Sequence, residues 1–418
     1  MVFVRGAVPG DRIRARIGKS KRSWAEAELI EVLEPSPDRI EPQAPHPGAP
    51  WQVLPYERQL EEKQSQVTDA LERIGGFESP PVEPIVPAVQ QFRYRNKLEY
   101  SFGEDEEGEL VLGFHRAGRW DVIDDVESDI LASERIDEVR EAVKAWCREE
   151  GLTAWDRDSG TGLLRNLVVR EGRRTGQVQA RVVTSPGSEF RVSELAAATP
   201  ADSFLWTRAE GVAETTHGGE TKAVKGPAFL EEELSGLSFR ISPDAFFQTN
   251  TEMAEVLYGA AVELAALTGR ERVVDLFCGI GTIALVLGLD SAEVWGVELI
   301  EDAVADAIQN AKLNGVDNAR FFAGDVRLVM RELLEKSGSP DVVVVDPPRA
   351  GLSQKVVRRI IEAEAQRIVY VSCNPTTLAP NARQLVDDGG YELRTVRPVD
   401  MFPQTPHIEC VALLERPA

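Results

Sequence analysis

The chain has 418 residues, 43% of them hydrophobic, enough to bury more than one core, so two or three domains are expected. It carries 47 Lys and Arg against 69 Asp and Glu, a formal net charge of −22, which excludes a uniformly basic nucleic-acid binder because phosphate affinity comes largely from Lys and Arg displacing counterions. No charge-free apolar run approaches the roughly 20 residues of a membrane span, no signal-peptide pattern opens the chain, and the scattered Cys147, Cys278, Cys373 and Cys410 form no disulfide framework. A cytoplasmic protein without membrane contact is expected.

Charge is unevenly distributed: basic residues gather at 12–22 and 93–97, acids at 104–109 and 231–233, which leaves room for a locally basic groove on an acidic body. Short apolar–polar alternations over 2–39, punctuated by Gly6, Pro9-Gly10 and Gly18, predict a small antiparallel β unit of the kind that closes into a barrel, within a first module of residues 1–42. Residues 43–90 combine a proline-rich linker with a helix over 56–74 that ends at Gly75-Gly76. Residues 91–240 mix strand-like runs (97–102, 110–114, 163–169, 178–183) with helical stretches near 133–150 and 193–199, and predict an α+β central domain. In residues 241–418 near-continuous apolar strands (272–277, 294–297, 341–345, 367–371) alternate with helical segments. Strands buried on both faces predict an α/β, Rossmann-like, doubly wound parallel sheet.

In that last domain the run from Val273 to Thr282 is a strand entering a glycine turn and then a helix, and Glu298 ends the next strand, where a carboxylate can take both hydroxyls of a ribose. This is an adenosine-binding pattern, with Phe277, Gly279, Gly281, Thr282 and Glu298 as contacts. Asp325, after Ala323-Gly324, reads either as an adenine-side contact or as a helix N-cap. Gly279, Gly281 and Ala284 also satisfy G-x-G-x-x-A, so a NAD-binding domain is the alternative. The rigid Asp346-Pro347-Pro348-Arg349 turn decides between them, since such a turn at a strand's end belongs to methyltransferases acting on nucleobases or similar planar nitrogenous groups.

The next strand runs into Ser372-Cys373-Asn374-Pro375, placing a thiol at the carboxyl end of the sheet, in a turn that favours exposure. Cys147, Cys278 and Cys410 fit inert core positions. A thiolate has a purpose in uracil methylation: carbon 5 is a poor nucleophile until a thiolate adds at carbon 6 and makes it enolate-like. A base must then remove the proton from carbon 5. Glu409 is the candidate, although alone it would read as an ordinary exposed strand residue.

Phe246-Phe247-Gln248-Thr249-Asn250, DLFCGIGT at 275–282, DPPR at 346–349, SCNP at 372–375 and TPHIECV at 405–411 together resemble the RumA/TrmA-type class I S-adenosylmethionine-dependent RNA (uracil-5-)-methyltransferase family, over almost the whole chain. The resemblance implies Cys373 as nucleophile and Glu409 as base, with Gln248, Phe277, Thr282, Glu298 and Asp346 lining the cofactor and uracil site, joined by Asp325. It also implies S-adenosylmethionine as cofactor, RNA as partner and a monomer. The first residues look like a TRAM domain, a small RNA-binding barrel, which points to 23S ribosomal RNA, with the thymidine loop of tRNA as the alternative. A non-catalytic RNA-binding or assembly protein is the alternative from another class. Where many relatives of the ribosomal branch hold an iron–sulfur cluster, the stretch 42–50 has no cysteine, so neither a cluster nor any other metal is expected. Thr282 stands where the family often has asparagine.

Overall fold

Alternating apolar and charged residues at the start of the chain form β1 (Val2–Arg5), β2 (Arg12–Ser20) and β3 (Ala25–Glu34), in the order β1-β3-β2. The computed structural model describes residues 2–417 except 23, 117, 187–189, 212–215 and 217. The expected antiparallel unit is a mixed sheet, because β3 runs antiparallel to β2 but parallel to β1. Asp11 gives the physical reason: its carboxylate accepts from the Val8 and Ser36 N–H groups, both at 2.8 Å, and from Arg39. The β1–β2 connection is thereby clamped to the chain beyond β3, which runs between the two earlier strands. The basic stretch of β2 is largely neutralised across the sheet, where Arg12 pairs with Glu34, Arg14 with Glu31 and Arg16 with Glu28.

The proline-rich segment expected as a linker is a packed strap. His46, Ala49, Gln52 and Leu54 are buried in it, and the His46 imidazole meets Asp129 at 2.9 Å. Helix α1 (Tyr56–Arg73) follows, burying Gln59, Lys63, Val67, Ala70 and Leu71 at helical spacing. Beyond it Val82 and Val86 bridge in parallel to Val396 and Val399, covering an edge of the C-terminal sheet.

The central region contains β4 (Lys97–Glu104), β5 (Leu110–Arg116), β6 (Arg119–Asp125), α2 (Glu134–Glu149), β7 (Leu164–Glu171), β8 (Val178–Thr184), α3 (Val192–Ala198), β9 (Ser203–Arg208) and β10 (Glu220–Lys225). The strands form one sheet in the order β10-β9-β8-β7-β4-β5-β6. One face packs on α2 and α3 through Leu98, Tyr100, Ile136, Val143, Leu167 and Phe204. Strand alternation turns Lys97, Arg170 and Gln179, cross-strand neighbours, to the opposite face.

A hairpin, β11 (Leu230–Leu234) and β12 (Leu237–Ile241), leads through α4 (Thr251–Ala265) into β13 (Arg272–Leu276), α5 (Thr282–Gly288), β14 (Glu293–Glu298), α6 (Glu301–Asn314) and β15 (Ala319–Ala323). Then come α7 (Val326–Ser337), β16 (Val342–Val345), α8 (Gln354–Glu362), β17 (Arg367–Ser372), α9 (Pro375–Gly389), β18 (Glu392–Val399) and β19 (Glu409–Glu415). Sheet order is β15-β14-β13-β16-β17-β19-β18, with β19 alone reversed against both neighbours. Residues of α4, α5 and α6 fill one core cluster with the hairpin, and those of α7, α8 and α9 fill the other with α1. The doubly wound reading holds, with one antiparallel strand added. Among the described residues no helix is long and apolar enough to cross a membrane.

Lys63 and Asp400 form an ion pair at 2.6 Å with both side chains wholly buried, and the Tyr56 hydroxyl donates to the second Asp400 oxygen at 2.8 Å. Removing one partner strands the other charge in the interior. Lys63→Met is therefore expected to lower unfolding free energy by about 3–5 kcal/mol; a denaturant melt matching the native protein would contradict this.

Candidate active site

The order of strands reverses at β13, so its carboxyl end borders a crevice. There Phe277, Gly279 and Gly281 adopt left-handed φ values of 67°, 54° and 86°, which bend the chain sharply before α5. The two glycines serve different needs. A side chain on Gly279 would meet nothing within 4 Å, whereas one on Gly281 would press on Phe321 and Ala307 at 3.1 and 3.2 Å. Gly279 thus leaves room for a ligand and Gly281 for packing. Phe277, with a full side chain at positive φ, marks local strain of the kind found at functional turns.

Glu298, at the end of β14, folds back onto this turn. Its carboxylate accepts from the N–H groups of Gly279 (3.2 Å), Leu299 (2.7 Å) and Ile300 (3.0 Å). The Thr282 hydroxyl lies 3.3 Å from that of buried Tyr258. Asp325 stands on the same rim, since the preceding Gly324 N–H donates to the Glu298 carbonyl at 2.8 Å. It is the N-cap of α7, accepting from the Arg327 N–H, and its carboxylate pairs with the Arg327 guanidinium, which lowers it to about 2. Of its two readings, the capping one describes its contacts.

The second half of the site comes from the reversal of β19. Ser372 pairs with Cys410 at the end of the β17–β19 ladder, so the next residues on each side, Cys373 and Glu409, meet at the rim. Cys373 is half-buried, whereas Cys147, Cys278 and Cys410 are fully buried. Burial pushes the Cys373 thiol up to about 11, reinforced by Glu409 and Asp346 and opposed by Arg349. Glu409 is 3% exposed, not the exposed strand residue it would be in isolation. Burial raises its carboxyl well above the ordinary range, and Asp346 adds to the shift. Burial likewise raises Asp346 to about 7.

Gln248 lies in the loop before α4, which is held from two sides. The Asn96 side chain donates to the Gln248 carbonyl (2.9 Å) and to the Thr251 hydroxyl (2.8 Å), and Asn250 caps α4 while donating to the Met401 carbonyl at 2.9 Å. Two residues two places from expected ones join the site without having been singled out. Phe246 is 69% exposed beside Gln248, and His407 accepts from the Arg349 guanidinium at 3.0 Å. The only sequence signal for His407 was its place two residues before Glu409; exposure of an aromatic next to a polar loop residue has none.

Residues 227–417 match the family model described as tRNA (Uracil-5-)-methyltransferase. A relative from Halalkalibacterium halodurans, described as an uncharacterized RNA methyltransferase, is 38% identical over 99% of this chain and 92% of its own length. One of the same description from Chlorobaculum tepidum is 39% identical over 99% and 91%. The chain belongs to the RumA/TrmA-type RNA (uracil-5-)-methyltransferase family. The crystal structure of Pyrococcus abyssi tRNA (uracil-54, C5)-methyltransferase in complex with S-adenosyl-L-homocysteine superposes with a TM-score of 0.80 at 30% identity, over 98% of this chain and 95% of that one.

As a member of this family the protein is an S-adenosylmethionine-dependent methyltransferase, and the site suits that cofactor's chemistry. Asp275 is fully buried under the glycine turn with neither carboxyl oxygen hydrogen-bonded; the Ala284 N–H approaches it outside bonding geometry. Asp275 is raised by burial and by the neighbouring Asp346 and Glu298. The salt bridges among the described residues include none to Asp275, Glu298, Asp346 or Glu409. Carboxyl groups held without a salt-bridge partner favour a ligand that brings positive charge, because such a charge stabilises their ionised form, and S-adenosylmethionine carries a sulfonium and an ammonium.

The raised Asp346 carboxyl predicts a pH dependence of stability in the ligand-free protein. Below about pH 3 it is protonated in folded and unfolded chains alike; as pH rises through the ordinary value of 3.8 towards 7 the unfolded chain ionises first, and stability falls. Asp346→Asn should match the native protein near pH 3 and exceed it by about 2–4 kcal/mol at pH 8. Equal denaturant midpoints at both pH values would contradict the assignment.

Proposed function

We propose that the protein methylates carbon 5 of a uridine in structured RNA, with Cys373 as covalent nucleophile and Glu409 as the base that removes the carbon-5 proton. The observation that carries this reading is the β17–β19 register, which brings the accessible thiol against a buried carboxyl at the rim bearing the glycine turn. S-adenosylmethionine supplies an electrophilic methyl group. Cys373 adds as thiolate to carbon 6 of the ring, and the displaced electron pair makes carbon 5 nucleophilic. After methylation Glu409 takes the proton from carbon 5, and the carbon–sulfur bond breaks to return the thiolate. A carboxyl raised by burial suits that step, because once ionised it is a stronger base than an exposed one.

The target base must leave its stack to enter such a crevice, which is least costly in a loop. Phe246, exposed beside Gln248, offers an aromatic face to an unstacked base. Buried Arg170 donates to the Ser242 and Ala245 carbonyls and so joins the central sheet to the Gln248 loop.

The choice of RNA has two readings. The TRAM-like opening favours 23S ribosomal RNA. The likeness to the Pyrococcus abyssi tRNA enzyme, which spans 98% of this chain, favours tRNA.

Tritium-methyl transfer from labelled S-adenosylmethionine to unmodified ribosomal RNA and tRNA tests both the reaction and the substrate. Labelled 5-methyluridine is expected with the native chain and at least about 10³-fold less with Cys373→Ala. Glu409→Gln should retain an RNA–protein adduct that survives a denaturing gel, because elimination waits on the lost base. Equal labelling by native and Cys373→Ala would remove the thiol from the mechanism.

A further inference from the structure

Arg349 and Cys373 are neighbours by construction of the two turns that carry them. The Asn374 side-chain amide donates to the Arg349 carbonyl at 3.1 Å while its own oxygen caps α9, so the turn after β16 is tied to the turn after β17. The guanidinium is fixed from a third element, the loop between β18 and β19, where His407 Nδ1 lies 3.0 Å from Arg349 Nη2. That loop holds the ring in turn: the His407 N–H donates to the Thr405 hydroxyl at 3.2 Å, which donates to the Phe402 carbonyl at 2.7 Å, and the Phe402 ring stands edge-on to the imidazole.

A guanidinium can only donate, so Nδ1 must be an unprotonated acceptor and the imidazole neutral. Its surroundings enforce this, since burial, Arg349, Arg95 and Lys63 all lower the pKa of His407. Most arginines of this chain have carboxylate partners, as Arg397 has in Glu83 and Glu263. Among the described residues the salt bridges include none to Arg349. An acceptor without charge fixes its direction and leaves no carboxylate bonded to it.

That charge faces a thiol whose other ionisable neighbours oppose ionisation. Around Cys373 stand Glu409 and Cys410 on β19, Asp346 after β16 and Tyr370 on β17; Arg349 is the cation that acts on it. We propose that His407 is a positioning residue for the methyl-transfer site, holding Arg349 beside Cys373 through a neutral acceptor so that the guanidinium retains its full charge for the thiolate. A carboxylate at position 407 would hold the arginine equally well and cancel its effect. The inference rests on Cys373 being the nucleophile.

The test is the rate of iodoacetamide alkylation of Cys373 across pH in the full-length protein without RNA or cofactor, followed by peptide mass mapping. His407→Gln, a neutral acceptor, should alkylate within about twofold of the native rate at pH 8, whereas His407→Glu should be about tenfold slower, with its pH midpoint displaced upward by about one unit. Arg349→Met should behave like His407→Glu. If the glutamate variant does not fold, His407→Asp makes the same comparison. Native rates in the acidic variant, or equal slowing in the glutamine and acidic variants, would overturn the proposal. The nucleophile reading fails separately, through methyl transfer that survives Cys373→Ala.

Discussion

The antiparallel register of β19 against β17 is the constraint on which the rest of the site depends. In an open α/β sheet the ligand crevice lies beyond the carboxyl ends of the parallel strands. A seventh parallel strand would point its last residue there; β19 is reversed and presents its first, Glu409, to the residue that follows β17. A slip of β19 by one residue would turn Glu409 to the opposite face of the sheet from Cys373. The loop from β18 back to β19 is accordingly tied down along its length. Lys63 holds Asp400 and the Phe402 carbonyl, Asn250 holds the Met401 carbonyl, Tyr94 holds that of Pro403, and Gln59 makes a reciprocal amide pair with Gln404.

The charge balance of the chain makes sense against this crevice. Four carboxyl groups near one another would repel if all were ionised, and burial instead keeps Asp275, Asp346 and Glu409 protonated more readily than free carboxyls. Their protonation lessens the repulsion that a polyanion meets at the crevice itself. Positive charge is rationed elsewhere as well. The arginines of β2 face glutamates on β3.

Much of this was legible in the sequence, for identifiable reasons. Strands β13, β14, β16 and β17 are short apolar runs buried on both faces, and such runs announce themselves whatever surrounds them. Strand β18, ELRTVRPV, did not, because five of its eight residues are exposed or partly exposed and its place depends on pairing with β19 and on cover from Val82 and Val86. The same limit hid the parallel pairing of β1 with β3, which Asp11 settles through contacts 25 and 28 residues away. At the site, motif residues were legible because glycine, proline and cysteine carry local meaning. Asp325 was ambiguous because an N-cap and a ligand contact require the same residue at the same place. The strap around His46 was misread as a linker, since its order comes from Asp129, far along the chain, and not from any period of its own.

The pairing of α1 with the loop before β19 has a consequence for how the molecule is made. Lys63 waits for a partner 337 residues later and Gln59 for one 345 residues later. At about 5–20 residues per second, synthesis leaves α1 exposed for tens of seconds with a charged and an amide side chain on the face it must bury. The central sheet can form during that interval from neighbouring strands. The crevice cannot, because the segment that completes it is made 337 to 345 residues after the helix that anchors it. A growing chain therefore has no complete crevice until β19 has been made, and truncation before Asp400 removes Glu409 together with the contacts that seat α1.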